Sequence, residues 1–145
     1  GVAPGVELFS ARVFTPTRSP NQADIADAIE HLVEEHEVDL VNLSLGWDVG
    51  PADVQTLTDA IRGARDRGAL CVCAAGNTGA AVTHPANVPD AVAVGALGLH
   101  GWAPPASVSA TRYPGELARY GDDGRFVANF SASGPAIRAI GPGVG

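Results

Sequence analysis

The sequence predicts an α/β fold, a parallel sheet covered by helices. Over residues 1–97 short apolar runs alternate with helical patterns. Two of the runs, 69–75 and 91–97, are almost continuously apolar, the kind of strand buried on both faces of a parallel sheet. Strand, helix, strand, helix, strand implies right-handed crossovers and a layered architecture.

The first strand is expected at residues 7–14, where β-branched and aromatic residues stand between Gly5 and Pro16. Ser19-Pro20-Asn21-Gln22 reads as a capping box with Ser19 as N-cap and Pro20 at the first helical position. The helix it opens carries Ile25, Ala28, Ile29, Leu32 and Val33 on one face, with Glu30, Glu34, Glu35 and Glu37 largely elsewhere. Residues 40–45 form the next strand. Pro51 and Asp53 then start a second helix with Val54, Leu57, Ile61 and Ala64 turned inward. Arg62, Arg65 and Arg67 crowd its C-terminal end, where the helix dipole favours cations, and Gly68 stops it.

The alternation breaks at Gly98. Residues 98–128 are rich in Gly, Pro and Ser, with Trp102, Tyr113 and Tyr120 scattered among them, and read as an inserted hairpin or lid. A short strand over 137–140 follows. The core elements are therefore 1–97 and 129–145, within a single partial domain spanning 1–145.

A chain of 145 residues, 46% hydrophobic and 17% charged, has enough apolar surface for one ordered core. Nine basic against 16 acidic residues, a formal charge of −7, argue against a phosphate-backbone partner, and no basic stripe is interleaved with aromatics. No apolar run reaches the roughly 18–20 residues of a membrane span. The start at Gly1 and the absence of Met make the sequence read as a processed or cut piece. Cys71 and Cys73 lie two apart in an apolar run, so they share a strand face and read as two small buried hydrophobes.

Open parallel sheets place their ligand sites beyond the C-terminal ends of the strands. Here those ends are Asn42-Leu43-Ser44-Leu45-Gly46 and Ala74-Ala75-Gly76-Asn77-Thr78-Gly79. Small residues let a ligand backbone approach closely, and an Asn just past a strand aims an amide donor at developing negative charge. A dinucleotide site is a poor alternative, because Gly76-Asn77-Thr78-Gly79 lacks the G-x-G-x-x-G spacing.

The order of the motifs is more specific than any one of them. Gly1-Val2-Ala3-Pro4 precedes a strand, and Val41-Asn42-Leu43-Ser44-Leu45-Gly46 and Ala74-Ala75-Gly76-Asn77 follow. Then come His84-Pro85, Val92-Ala93-Val94-Gly95-Ala96, Phe130-Ser131-Ala132-Ser133-Gly134-Pro135 and Gly141-Pro142-Gly143-Val144. This series resembles the subtilisin-like serine peptidases, from just after their histidine motif to just before their nucleophile motif.

The resemblance implies a three-layer subtilisin-like fold, incomplete at both ends, from an endopeptidase that works through an acyl-enzyme. It implies that Asn77 is the side-chain oxyanion donor. Ser44, Leu45 and Gly46 would pair with an extended peptide substrate and form one wall of its specificity pocket. Ala74, Ala75 and Gly76 would form the other wall. Pro85 matches a position that is commonly cis. Thr83, where the family often has Gly, would shorten the pocket, and Trp47 replaces a usually small residue. The segments bearing the catalytic Asp, His and Ser fall outside this stretch, and His31, His36, His84 and His100 read as solvated or structural. A noncatalytic peptide-binding module on the same fold is the alternative.

No cofactor is required on this reading. Calcium is implied by resemblance only, with a weak candidate at the Ala86 and Val88 carbonyls. The expected partner is a peptide or protein substrate, with no nucleic acid and no membrane. Family members are often secreted.

The resemblance also places the Asp-bearing strand between 7–14 and 40–45. Without it, either 7–14 shifts to pair directly with 40–45 or a second copy pairs across the open edge. The second is the favoured expectation.

Overall fold

The computed structural model describes residues 3–48, 54–108, 110 and 121–144. Pro51, Asp53, Tyr113 and Tyr120 lie outside these. In chain order the elements are α1 (Gln22–Glu35), β1 (Leu40–Leu43), α2 (Gln55–Asp66), β2 (Leu70–Ala74), β3 (Val92–Leu99), β4 (Arg125–Val127) and β5 (Ile137–Val144).

The strands form one mainly parallel sheet. β1 pairs β2, β2 pairs β3, and β3 pairs β5, all parallel, while β4 runs antiparallel to the end of β3. In register, Val41 lies opposite Cys71, and Leu43, Cys73 and Ala93 form a row. These five side chains are buried and share one core with Ile25, Ile29, Leu57 and Ile61 of the two helices. Both helices therefore cover the same face. On the opposite face Leu40 and Leu70 are 63% and 40% exposed. Residues 69–75 are thus not buried on both sides among the described residues, and β2 alternates between buried and open positions.

The first helix begins later than the sequence suggested. Asn21, not Ser19, is the N-cap. Its side chain accepts from the Asp24 amide at 2.8 Å, and Asp24 accepts in return from the Asn21 amide at 2.8 Å. Asp24 also takes both prongs of the Arg18 guanidinium at 2.7 and 3.1 Å, a junction a Ser19–Gln22 box would not offer. At the end of α2, Arg67 reaches Glu34 of α1 at 2.7 Å.

The expected strand at 7–14 is absent. Its side chains alternate as in a strand, with Phe9, Ala11 and Val13 partly covered and Leu8, Ser10, Arg12 and Phe14 exposed. Its backbone has no strand partner, and Phe9 instead stacks on His36 with ring centroids 4.3 Å apart. Nor has the segment moved across to β1, which overturns the expectation of direct pairing. A cavity of about 790 Å³ separates the two, lined by the 5–13 stretch, β1, and Ile25, Ile29 and Leu32 of α1. With neighbouring strands about 4.8 Å apart, an opening of this size admits a length of extended chain beside β1.

β3 continues through Gly98 to Leu99, past the expected break, because β4 returns to pair with it at Leu97↔Val127 and Leu99↔Arg125. The base of the inserted stretch is thus a hairpin. Phe126, Ala128 and Val144 form a second small core beneath it. β5 is longer than expected, and its Pro142, with no N–H to donate, sits on an outer strand.

Candidate active site

β1 and β2 end side by side, with Leu43 opposite Cys73 as their last pair. Beyond it Ser44, Leu45 and Gly46 continue from one strand and Ala74, Ala75 and Gly76 from the other. Residues 83 and 84 are bound to both continuations. The Thr83 amide donates to the Ala75 carbonyl at 3.1 Å, and the Trp47 amide donates to the His84 carbonyl at 2.9 Å. Gly46, Ala75 and Gly76, three of the seven residues singled out from the sequence, thus lie against this one short segment.

Asn77, the seventh, is exposed in a bend just past β2. The bend is tied down on both sides. Ala132 donates to the Gly76 carbonyl at 3.0 Å, and Gly79 donates to the Phe130 carbonyl at 2.8 Å. Gly76 has φ +114°, a conformation that residues with a Cβ rarely adopt. The 130–132 stretch is anchored in turn by Ser131, whose buried hydroxyl accepts from the Ala96 amide at 2.9 Å and donates to the Ala132 carbonyl at 3.1 Å. Sequence reasoning quoted this Phe-Ser-Ala-Ser motif without giving Ser131 a task.

His84 is 1% exposed. Burial holds its pKa below the usual histidine value, partly opposed by the contact of Nδ1 with Asn87 Oδ1 at 3.2 Å. With Nδ1 engaged there, Nε2 is buried without a partner among the described residues, and the ring edge faces Trp47 at 6.1 Å between centroids. A neutral, enclosed imidazole braces the cleft and is out of reach of a substrate proton. His31 and His36 lie against each other at 5.2 Å, beside Phe9 and far along α1. Among the described residues, none of these three histidines bonds a serine hydroxyl.

The His84–Pro85 bond is cis. The Val88 carbonyl accepts from the Ala91 amide at 3.0 Å, and Ala86 and Val88 are both buried. Among the described residues no group of three or more His, Cys, Asp and Glu side chains converges.

The sequence profile of the subtilase family matches residues 1–144. The chain belongs to the subtilase family. Subtilisin Savinase of Lederbergia lenta is 38% identical over 97 residues, covering 66% of this chain and 35% of its own length. The major intracellular serine protease of Bacillus subtilis is 35% identical, covering 68% of this chain and 32% of its own. The thermostable alkaline protease of Halalkalibacterium halodurans is 31% identical over 145 residues, 99% of this chain and 32% of its own. Among solved structures, the self-cleaved protease domain of PatA superposes with a TM-score of 0.66 at 26% identity, covering 90% of this chain and 42% of that one. This subtilase chain is thus related to serine proteases, and it spans about a third of the length of these curated relatives.

Proposed function

We propose that this subtilase chain supplies the substrate cleft and an oxyanion donor to a serine endopeptidase that cleaves peptide bonds through an acyl-enzyme. Nucleophile, base and orienting acid come from parts of the catalytic domain beyond this stretch. The observation that carries the reading is the exposed Asn77, held on a doubly tied bend beside two strand ends that residues 83 and 84 join. The strand-sized gap between 7–14 and β1 supports it as well, because the family resemblance puts the Asp-bearing strand there.

On this reading an extended peptide lies along Ser44, Leu45 and Gly46, with its side chain between these and Ala74, Ala75 and Gly76. As the serine attacks, the carbonyl oxygen gains charge and the Asn77 amide donates to it. That bond strengthens only in the transition state, so it lowers the barrier without tightening substrate binding.

Asn77→Ala in the whole enzyme tests this. kcat is expected to fall by about 10²–10³-fold with KM little changed, a size known for the matching donor of a subtilisin and taken over by resemblance. A loss confined to KM would make Asn77 a ground-state contact and overturn its assigned role.

A further inference from the structure

We propose that Ser131 is a positioning residue, its buried hydroxyl fixing the 130–133 stretch that holds Asn77 in place beyond the end of β2. The proposal rests on reading Asn77 as the oxyanion donor. It starts from the edge of β3 that β2 leaves behind. The Ala75 amide still reaches the Val94 carbonyl at 3.0 Å. Backbone groups along a paired edge belong to alternate residues, so the next ones on this edge are those of Ala96. The Ala96 carbonyl accepts from the Ala128 amide at 2.9 Å, and the Ala96 amide donates to Ser131 Oγ at 2.9 Å. Ser131 thus takes over the edge of β3 where β2 gives it up.

From there the stretch carries the bend. Ala132 donates to the Gly76 carbonyl at 3.0 Å, Gly79 to the Phe130 carbonyl at 2.8 Å, and Ser133 to the Ala80 carbonyl at 2.8 Å. Asn77 lies between the first two of these attachments. The two segments also touch, since a Cβ placed on Gly79 would lie 2.9 Å from the Asn129 carbonyl oxygen. The bend therefore moves with residues 130–133, and the Ser131 hydroxyl ties those residues to β3. That hydroxyl is itself held: Ser131 is 4% exposed and donates to the Ala132 carbonyl at 3.1 Å. A Cβ on Gly95 would come within 3.1 Å of its oxygen, so the glycine keeps the hydroxyl's place clear. An oxyanion donor works only when it is already in position, and a misplacement of about 1 Å can cost roughly 10²-fold in rate.

The test takes the full-length enzyme as wild type, Ser131→Ala, Asn77→Ala and the double variant. It measures kcat and KM, and hydrogen exchange at the Gly79 amide. Ser131→Ala is expected to lower kcat by about tenfold at nearly constant KM and to speed exchange at Gly79. In the Asn77→Ala background it is expected to cost little further, because the donor it positions is gone. Should the Ala variant fold poorly, Ser131→Cys takes its place, with a thiol that bonds only weakly and a smaller loss in the same direction. Where Asn77→Ala lowers kcat, an undiminished kcat in the Ser131 variant, or an equal loss with and without Asn77, overturns the proposal. If wild type shows no turnover, or Asn77→Ala leaves turnover intact, the oxyanion reading falls and exchange at Gly79 decides. Faster exchange in the Ser131 variant then upholds the tie to the bend, and unchanged exchange overturns it.

Discussion

The ring of Phe126 lies directly against the backbone of Gly98, with a Cβ on that glycine placed only 2.7 Å from Phe126 Cε2. Phe126 is 3% exposed and fixes the β3–β4 hairpin over the smaller core. Gly98→Ala is therefore expected to destabilise the chain by about 1–3 kcal/mol through overpacking. Adding Phe126→Leu to it should cost less than the two single losses summed, because the smaller side chain makes room. Urea unfolding midpoints for the four chains check this, and strict additivity would refute the contact.

The start of α1 gives a second prediction. Asn21→Ala is expected to cost about 0.5–2 kcal/mol by leaving the Asp24 amide uncapped. The hydrogen bond from Arg18, and then the one from the Asn21 amide, hold the Asp24 carboxyl below the ordinary range. Its contribution is thus complete above the unfolded-state pKa of about 3.9 and is lost as pH falls through the lower folded value. Asp24→Asn should flatten the acid limb of a stability-versus-pH curve. An acid limb as steep as that of wild type would rule out this pairing as a source of it.

Burial pushes the Cys71 thiol up to about 11 and the Cys73 thiol to about 12, the latter helped by its neighbour. Unfolded thiols ionise near pH 8.5, so this part of the stability is complete below that pH and is lost as pH rises through the folded values. Alkylation by iodoacetamide at pH 8.5 is expected to be slow in buffer and prompt in urea. Equally prompt labelling of the folded chain would show that β2 is open to solvent.

The gap beside β1 yields a prediction for the 145-residue chain itself. Among the described residues, the outer edge of β1 and both edges of residues 7–14 lack backbone partners, while Leu8 and Phe14 are 87% and 54% exposed. A second copy can place its own 7–14 stretch in the gap while receiving the first copy's stretch in return. The resulting order is β1, partner stretch, own stretch, partner β1, and it leaves no edge of either stretch unpaired. Sedimentation at increasing concentration is expected to show a dimer, and Ala11→Pro, which removes a main-chain donor from the stretch, should return a monomer. A monomeric wild-type mass throughout would refute this expectation.

The comparison of sequence with structure divides along physical lines. β1, β2, β3 and the apolar faces of α1 and α2 were legible because the hydrophobic period reports burial directly, and Ile25, Ile29, Leu57 and Ile61 all lie where it placed them. Residues 7–14 carried an equally good strand pattern, yet pattern records preference and pairing requires a neighbour at the right distance. The helix start was missed because a capping box is chosen by competing side chains, and Asp24 held two partners where Gln22 would hold one. At the cleft, small residues and the lone Asn77 were readable from motif order. The convergence of Gly46, Gly76 and Thr83 on one oxygen was not, because the three residues meet only through the loop's return at 83 and 84.

That return has an evolutionary meaning. Residues 83 and 84 are fastened to both strand continuations by main-chain atoms, which every amino acid except proline supplies alike. A codon change at position 83 to any residue but proline therefore leaves both fastenings available, and the loop can diverge in side chain while its course across the strand ends is inherited unchanged.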